Sequence, residues 1–376
     1  MKSCYEESEP ADGAAVSRMK SRKGYAMSRK LMLWQRVVIC FAGFGASTSA
    51  MAGEPRMIRK EVEVKGTAEQ VFKLWTTPEG IAKFFSPESR IELKLGGAYD
   101  LYMGMKEPDR QGKRGAEGSR ILGYIENEML AFDWGFPPAV ESLRYGGVKT
   151  QVVLRFIDMG DGRVRVTLAQ HGWGQGADWD KGFEYFDAAW GHVLRQLKEY
   201  LDANHSAADA STAKSKTWDD QHVKVSSTDG PIKRQEFEMI VPVPVETVWN
   251  LLATTEGFKM LGAKEPLVEL RPGGAYSFWP GAPTRVLAFV PGEMLCTSGS
   301  APPEFPNVRK GGTWSAYYFE PIGAGKTKLR LSCTGWRPGE KEWDDAFDYF
   351  LKNNPVFLNS VYGLLVKNAA QLESAK

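Results

Sequence analysis

Three sets of side chains in this 376-residue chain have types and spacing suited to chemistry. Carboxylates cluster in DWDKGFE (178–184) and EKEWDD (340–345), close enough together to resemble a general acid and base. The imidazoles are His171, His192, His205 and His222, and Cys296 and Cys333 are the thiols beyond residue 52. Neither histidines nor cysteines fall at metal-ligand spacing and there is no CxxC, so no metal site and no cofactor are expected. Each carboxylate run opens a long helical period, where the helix dipole and free N–H groups favour negative charge, so a structural role is expected. His171 alternates with inward strand positions and should face outward with no base or nucleophile beside it. No catalytic residue is assigned, and the chain reads as a binder rather than an enzyme.

The elements that would position these groups occur twice. LKLGGAYDLY (93–102) matches LRPGGAYSFW (270–279), and VFKLWTTPEG (71–80) matches VWNLLATTEG (248–257) at the same offset of 177. NEML (127–130) matches GEML (292–295), and GWGQGADWDKGFEYF (172–186) matches GWRPGEKEWDDAFDYF (335–350). The expected domains are therefore residues 53–204 and 232–376, with 205–231, rich in Ala, Ser, Asp and Lys, as a flexible linker. Within each copy a strand precedes two short helices, a run of antiparallel strands and a long terminal helix. The Gly-Gly pairs are expected to close tight two-residue hairpins, since both glycines can adopt positive φ, though Pro272 before the second pair permits a neighbouring turn type and leaves its dihedrals open. Along 179–201 the apolar residues step by three or four and demand a buried partner, for which the sheet is the only surface large enough. Cys296 and Cys333 are expected two strands apart in one sheet, too far for a disulfide.

Residues 27–52 have the pattern of a signal peptide, with a basic start, the apolar run VVICFAGFGA and small residues at Ala50 and Ala52, so cleavage is expected after Ala52. That leader (1–52) implies a periplasmic or secreted product, or a cytoplasmic one if it is a gene-model error. The remaining chain holds 40 Lys/Arg against 42 Asp/Glu and shows no basic stripe, so no nucleic-acid partner is expected. The apolar run is too short for a stable membrane span. Oligomeric state is open.

The order of elements, the G-G-x-[YF] hairpin, a Pro-Pro turn and the G-W-x(n)-W-D-x-x-F-x-Y-F entry into the last helix resemble the SRPBCC helix-grip superfamily, in its branch of activator of Hsp90 ATPase homologues. The resemblance spans both copies. It implies an α+β fold of two tandem helix-grip (Bet v 1/START-like) domains, each a curved antiparallel sheet around a long C-terminal helix. It also implies an apolar small-molecule ligand held between sheet and helix. Candidate pocket residues are Tyr99, Leu101, Phe132, Trp134, Phe156, Leu168, Gln170, Phe186 and Trp190 in the first copy. In the second they are Tyr276, Phe278, Tyr317, Phe319, Leu331, Cys333, Phe350 and Asn354. Gln170 and Asn354, polar on otherwise apolar faces, need partners. A polyketide cyclase/dehydrase-like enzyme using the same cavity, or an Hsp90-activator-like interaction protein in the cytosol, are the alternative functions.

Overall fold

A computed structural model describes residues 56–204, 215–228, 233–278, 284–323 and 325–374, with side chains to residue 369. The leader lies outside the described residues. The first copy runs β1 (Ile58–Lys65), α1 (Ala68–Thr76), α2 (Pro78–Ile81), β2 (Glu88–Ile91), β3 (Tyr99–Tyr102), β4 (Ile121–Ile125) and β5 (Met129–Trp134). It continues through α3 (Glu141–Tyr145), β6 (Thr150–Asp158), β7 (Arg163–His171) and α4 (Ala177–Asn204). A hairpin follows, β8 (Ser215–Asp220) and β9 (Val223–Thr228). The second copy repeats the same order: β10 (Arg234–Val241), α5 (Val245–Ala253), α6 (Thr255–Met260), β11 (Leu267–Val268), β12 (Tyr276–Ser277) and β13 (Val286–Val290). It ends with β14 (Met294–Ser298), α7 (Pro306–Arg309), β15 (Trp314–Pro321), β16 (Thr327–Thr334) and α8 (Lys341–Ser374).

Local chemistry sets these boundaries. Thr67 and Gln70 form a reciprocal capping box at the start of α1, with bonds of 3.2 and 2.9 Å, and Pro78 occupies the first turn of α2. The carboxylates Asp178 and Asp180 lie in the first turn of α4, and Glu342 and Asp344 in that of α8. Pro355 sits inside α8, which is assigned as one helix of 34 residues.

Each copy is a curved antiparallel sheet gripped by its long helix. The first sheet is ordered β1-β7-β6-β5-β4, and the second, β13-β14-β15-β16-β10-β9-β8, contains the same five-strand order and two more. The extra pair comes from residues 215–228, within the segment read as linker. Their alternation of Val223 and Val225, buried, with exposed Lys224 lets β9 extend the sheet beside β10.

The Gly-Gly pairs differ from the expectation of two-residue turns. β2 and β3 pair Ile91 with Tyr99, leaving residues 92–98 as a loop whose Gly96 N–H bonds to Ile121 O at 2.8 Å. Only Gly96 is left-handed (φ +70°), while a Cβ on Gly97 would collide with the carbonyl oxygen of Glu92. The second copy repeats both constraints, with Gly273 at φ +76° bonded to Val286 O and Gly274 against Glu269 O. One glycine supplies the conformation and the other the clearance.

The outer faces of the two sheets pack against each other through Ile125, Met129, Ala131, Val153, Ala288, Met294, Cys296, Ala316 and Tyr318. Equivalent positions make equivalent bonds across this seam: Gln151 Nε2 donates to Phe289 O at 2.9 Å, and Trp314 Nε1 donates to Tyr124 O. His171 does point away from its own helix, as alternation requires. It is nonetheless only 6% exposed, because the second copy covers it. Its Nε2 lies 2.6 Å from Phe289 O, and its ring centroid is 4.6 Å from that of Phe289. Along one margin of the seam Glu128 accepts from Arg234 and Arg330 at 2.9 and 2.7 Å, beside a cavity of about 380 Å3 also lined by Arg155, Tyr318 and Glu320.

The loop 103–118, largely exposed, is anchored at one point. Arg144 Nε donates to Asp109 Oδ2 at 2.6 Å, and the two side chains are 6% and 4% exposed.

Candidate functional site

Inside the first grip the nine candidate side chains are in mutual contact. All are buried, none more than 5% exposed. Tyr99 stacks on Phe132 with centroids 4.3 Å apart, and its hydroxyl donates to Trp75 O at 3.0 Å. The ring of Trp190 lies 5.6 Å from Trp134 and 5.7 Å from Phe85. Gln170, the polar exception, is fully satisfied: it accepts from Trp190 Nε1 at 2.6 Å and donates to Thr150 Oγ1 at 2.7 Å. The helix is thereby tied to the sheet.

Strand register gives the second copy residue by residue. In the first, Ile58, Gln170, Val152 and Phe132 lie side by side across β1, β7, β6 and β5 on the inner face. The matching row in the second is Gln235, Cys333, Ser315 and Thr297 across β10, β16, β15 and β14. Three apolar side chains have become polar. Facing the row from the helix, Trp190 is replaced by Asn354, and the aromatics Phe85, Trp134 and Phe136 align with Gly262, Gly299 and Ala301. Tyr317 in place of Leu154 restores only part of that volume.

The consequence shows in burial. Phe319, Leu331, Cys333 and Tyr276 are buried, but Phe278, Tyr317, Phe350 and Asn354 are only half-buried. Tyr276 keeps the structural bond of its counterpart, donating to Leu252 O at 2.9 Å. Phe278 packs 5.3 Å from Phe258, and Phe350 5.8 Å from Trp336. Cys333 Sγ receives Ser315 Oγ at 3.2 Å and faces Asn354 Nδ2 at 3.8 Å, a much looser link than the Trp190–Gln170 bond. Gln235, fully buried, donates Nε2 to Phe347 O on α8 at 2.6 Å, and its Oε1 has no partner. Gln235, Ser315 and Thr297 were not singled out from sequence, although the offset of 177 that sets Gln235 over Ile58 was already visible there.

The side chains of this inner row are uncharged. Burial pushes the Cys333 thiol up to about 12, outweighing the Ser315 hydrogen bond, so the sulfur stays protonated and is a poor nucleophile. Burial, reinforced by Cys333, likewise raises the Tyr317 phenol. The helix-entry carboxylates are engaged elsewhere: Glu342 accepts from the Asn307 and Val308 amides and Asp344 pairs with Lys233 at 2.6 Å, while Asp178 binds Ser142 and Asp180 binds Arg56. Cys296 and Cys333 are free thiols two strands apart, one facing the seam and the other the chamber. Among the described residues no group of three or more His, Cys, Asp or Glu side chains is placed to hold a metal ion. Among them, too, no helix is long and apolar enough to cross a membrane.

The sequence model of the activator of Hsp90 ATPase homolog 1-like proteins matches residues 65–202 and again 242–348. Similar solved structures include the Aha1 dimer from Colwellia psychrerythraea, 16% identical over 40% of this chain and 99% of that one, with a TM-score of 0.31. DynU16 of the dynemicin biosynthetic locus is 16% identical over 82% of this chain and 98% of its own, also at 0.31. An Hsp90 activator from Plasmodium falciparum is 14% identical over 39% of this chain and 96% of its own, at 0.30. No curated protein matches the chain.

Proposed function

The chain belongs to the family of activator of Hsp90 ATPase homolog 1-like proteins, and from that premise we propose that it binds apolar or aromatic small molecules between the sheet and the terminal helix of its second copy. One observation carries the reading: Asn354 stands where Trp190 fills the first copy, and Tyr317, Phe350 and Phe278 of the same core are half-buried. A ligand entering there would cover aromatic surface at roughly 25 cal/mol per Å2, with the few polar groups fixing its orientation. The first copy, its interior occupied by its own side chains, serves as scaffold. A protonated Cys333 and an uncharged inner row support binding over acid–base or covalent catalysis.

Uptake of the neutral fluorophore N-phenyl-1-naphthylamine by the full-length protein tests this reading. One site per chain is expected, lost in Asn354→Trp. No uptake, or undiminished uptake by that variant, overturns it.

We also propose export, on the strength of the leader pattern at 27–52. N-terminal sequencing of the native product should find Gly53 first, and an intact leader would return the protein to the cytosol, where a chaperone partner could be met.

A further inference from the structure

The polar row has a direction as well as a composition, and it goes further than ligand binding in general. Gln235 is the informative member. Its Nε2 is committed to Phe347 O at 2.6 Å, which fixes the amide and leaves Oε1 as a buried acceptor without a donor. A buried carbonyl of this kind has given up water for nothing unless something donates to it. The first copy shows that the fold does not require a polar group here, since Ile58 occupies the same place and is 1% exposed.

Asn354, on α8, faces Cys333, the neighbour of Gln235 in the row. Its Nδ2 has only the weak Cys333 Sγ contact at 3.8 Å, so it retains donor capacity. The inner-row side chains Gln235, Cys333, Ser315 and Thr297 are all uncharged. The nearby Lys233, above the Phe347 ring at 4.3 Å, is neutralised by Asp344 at 2.6 Å. A carboxylate or ammonium ligand would find no counter-charge in the row and would pay its full desolvation cost. A pure hydrocarbon would leave the Gln235 oxygen without a donor.

We propose that the second chamber selects neutral ring compounds bearing a hydroxyl group, whose O–H is donated to Gln235 Oε1 while the ring lies beneath Asn354 against Tyr317 and Phe350. This rests on the ligand-binding reading above and adds the chemical class. A site built to hydrogen-bond a hydroxyl discriminates strongly against the analogue that lacks it, because the protein acceptor is then left unpaired.

The test uses two probes of nearly equal shape, 2-naphthol and 2-methylnaphthalene, each titrated into the full-length protein at neutral pH by displacement of N-phenyl-1-naphthylamine. The wild type should bind 2-naphthol at least about tenfold more tightly. Gln235→Ile, which installs the first copy's residue, should bring the ratio towards one through loss of naphthol affinity. Should that variant not fold, Gln235→Met serves the same comparison, and the wild-type ratio stands by itself. Equal affinities in the wild type would overturn the hydroxyl selection while leaving ligand binding intact, and would mean that buried water satisfies Gln235. Failure of every probe, the fluorophore included, would overturn the binding reading and this one together.

Discussion

Trp190 and Gln170 close the first grip with a 2.6 Å hydrogen bond between helix and sheet, and their counterparts Asn354 and Cys333 face each other at 3.8 Å. The same two positions of one fold therefore make a tight seam in one half and a loose contact in the other. The difference has energetic and chemical consequences.

Trp190→Ala removes a fully enclosed indole and orphans Gln170 Oε1. The expected cost is about 3–5 kcal/mol, the range for deleting a large aromatic from a core. Asn354→Ala should cost under about 1.5 kcal/mol, since it removes at most one weak bond. Urea midpoints of the full chain report both, and equal losses would contradict the asymmetry of the two interiors.

Thiol labelling distinguishes the two cysteines. Both are held protonated by burial, but Cys296 lies in the seam between the sheets while Cys333 faces the chamber. With iodoacetamide under native conditions, mass spectrometry should find Cys333 modified first and Cys296 only after unfolding. Saturating N-phenyl-1-naphthylamine should slow the reaction at Cys333. Faster modification of Cys296 would mean that the seam opens more readily than the chamber.

His171 makes stability depend on pH. Burial lowers its pKa, the Phe289 carbonyl opposing and the Arg59 charge adding to the shift. The unfolded chain takes up a proton near pH 6.5 that the native imidazole refuses, so stability is complete above that value and declines as pH falls towards the lower native one. Wild type should therefore lose more stability than His171→Gln between pH 8 and 5.5. Parallel losses would place the titrating group elsewhere.

Arg144 and Asp109 provide a fourth measurement. Truncating Arg144 to Ala removes the cation from Asp109, whose Oδ1 keeps the Gln111 and Lys113 N–H groups, and should destabilise the chain by about 1–3 kcal/mol. The double change Asp109→Asn with Arg144→Met should recover part of the loss. If the single variant is as stable as wild type, the loop 103–118 is not anchored by this pair.

Periodicity and repetition in the sequence carry most of this architecture. The two copies, the inward rows and the helix-entry carboxylates were legible because each follows a period of 2 or 3.6 residues or recurs in the other copy. The contact of sheet backs was not, because an apolar outer position such as Met129 or Cys296 reads the same whether it meets another sheet or the interior of its own. The hairpin at 215–228 was hidden by its composition, since Ser, Thr, Lys and Asp on a strand bordering solvent look like linker residues. The Gly-Gly loops show a related limit: the need for glycine was correctly located, but its cause is the approach of the Glu92 and Glu269 carbonyls as much as the dihedral angle. In the chamber, Asn354 was conspicuous against its helix, whereas the orphaned oxygen of Gln235 depends on where Phe347 lies, a relation 112 residues long.

The bonds from Gln151 to Phe289 and from Trp314 to Tyr124 relate the halves much as two identical subunits would be related, yet a single gene encodes both. In an assembly of separate identical chains, exchanging tryptophan for asparagine at this point of the helix would change both members at once. Covalent tandem linkage removes that symmetry of risk: one half can keep the molecule folded while the other changes in shape and polarity.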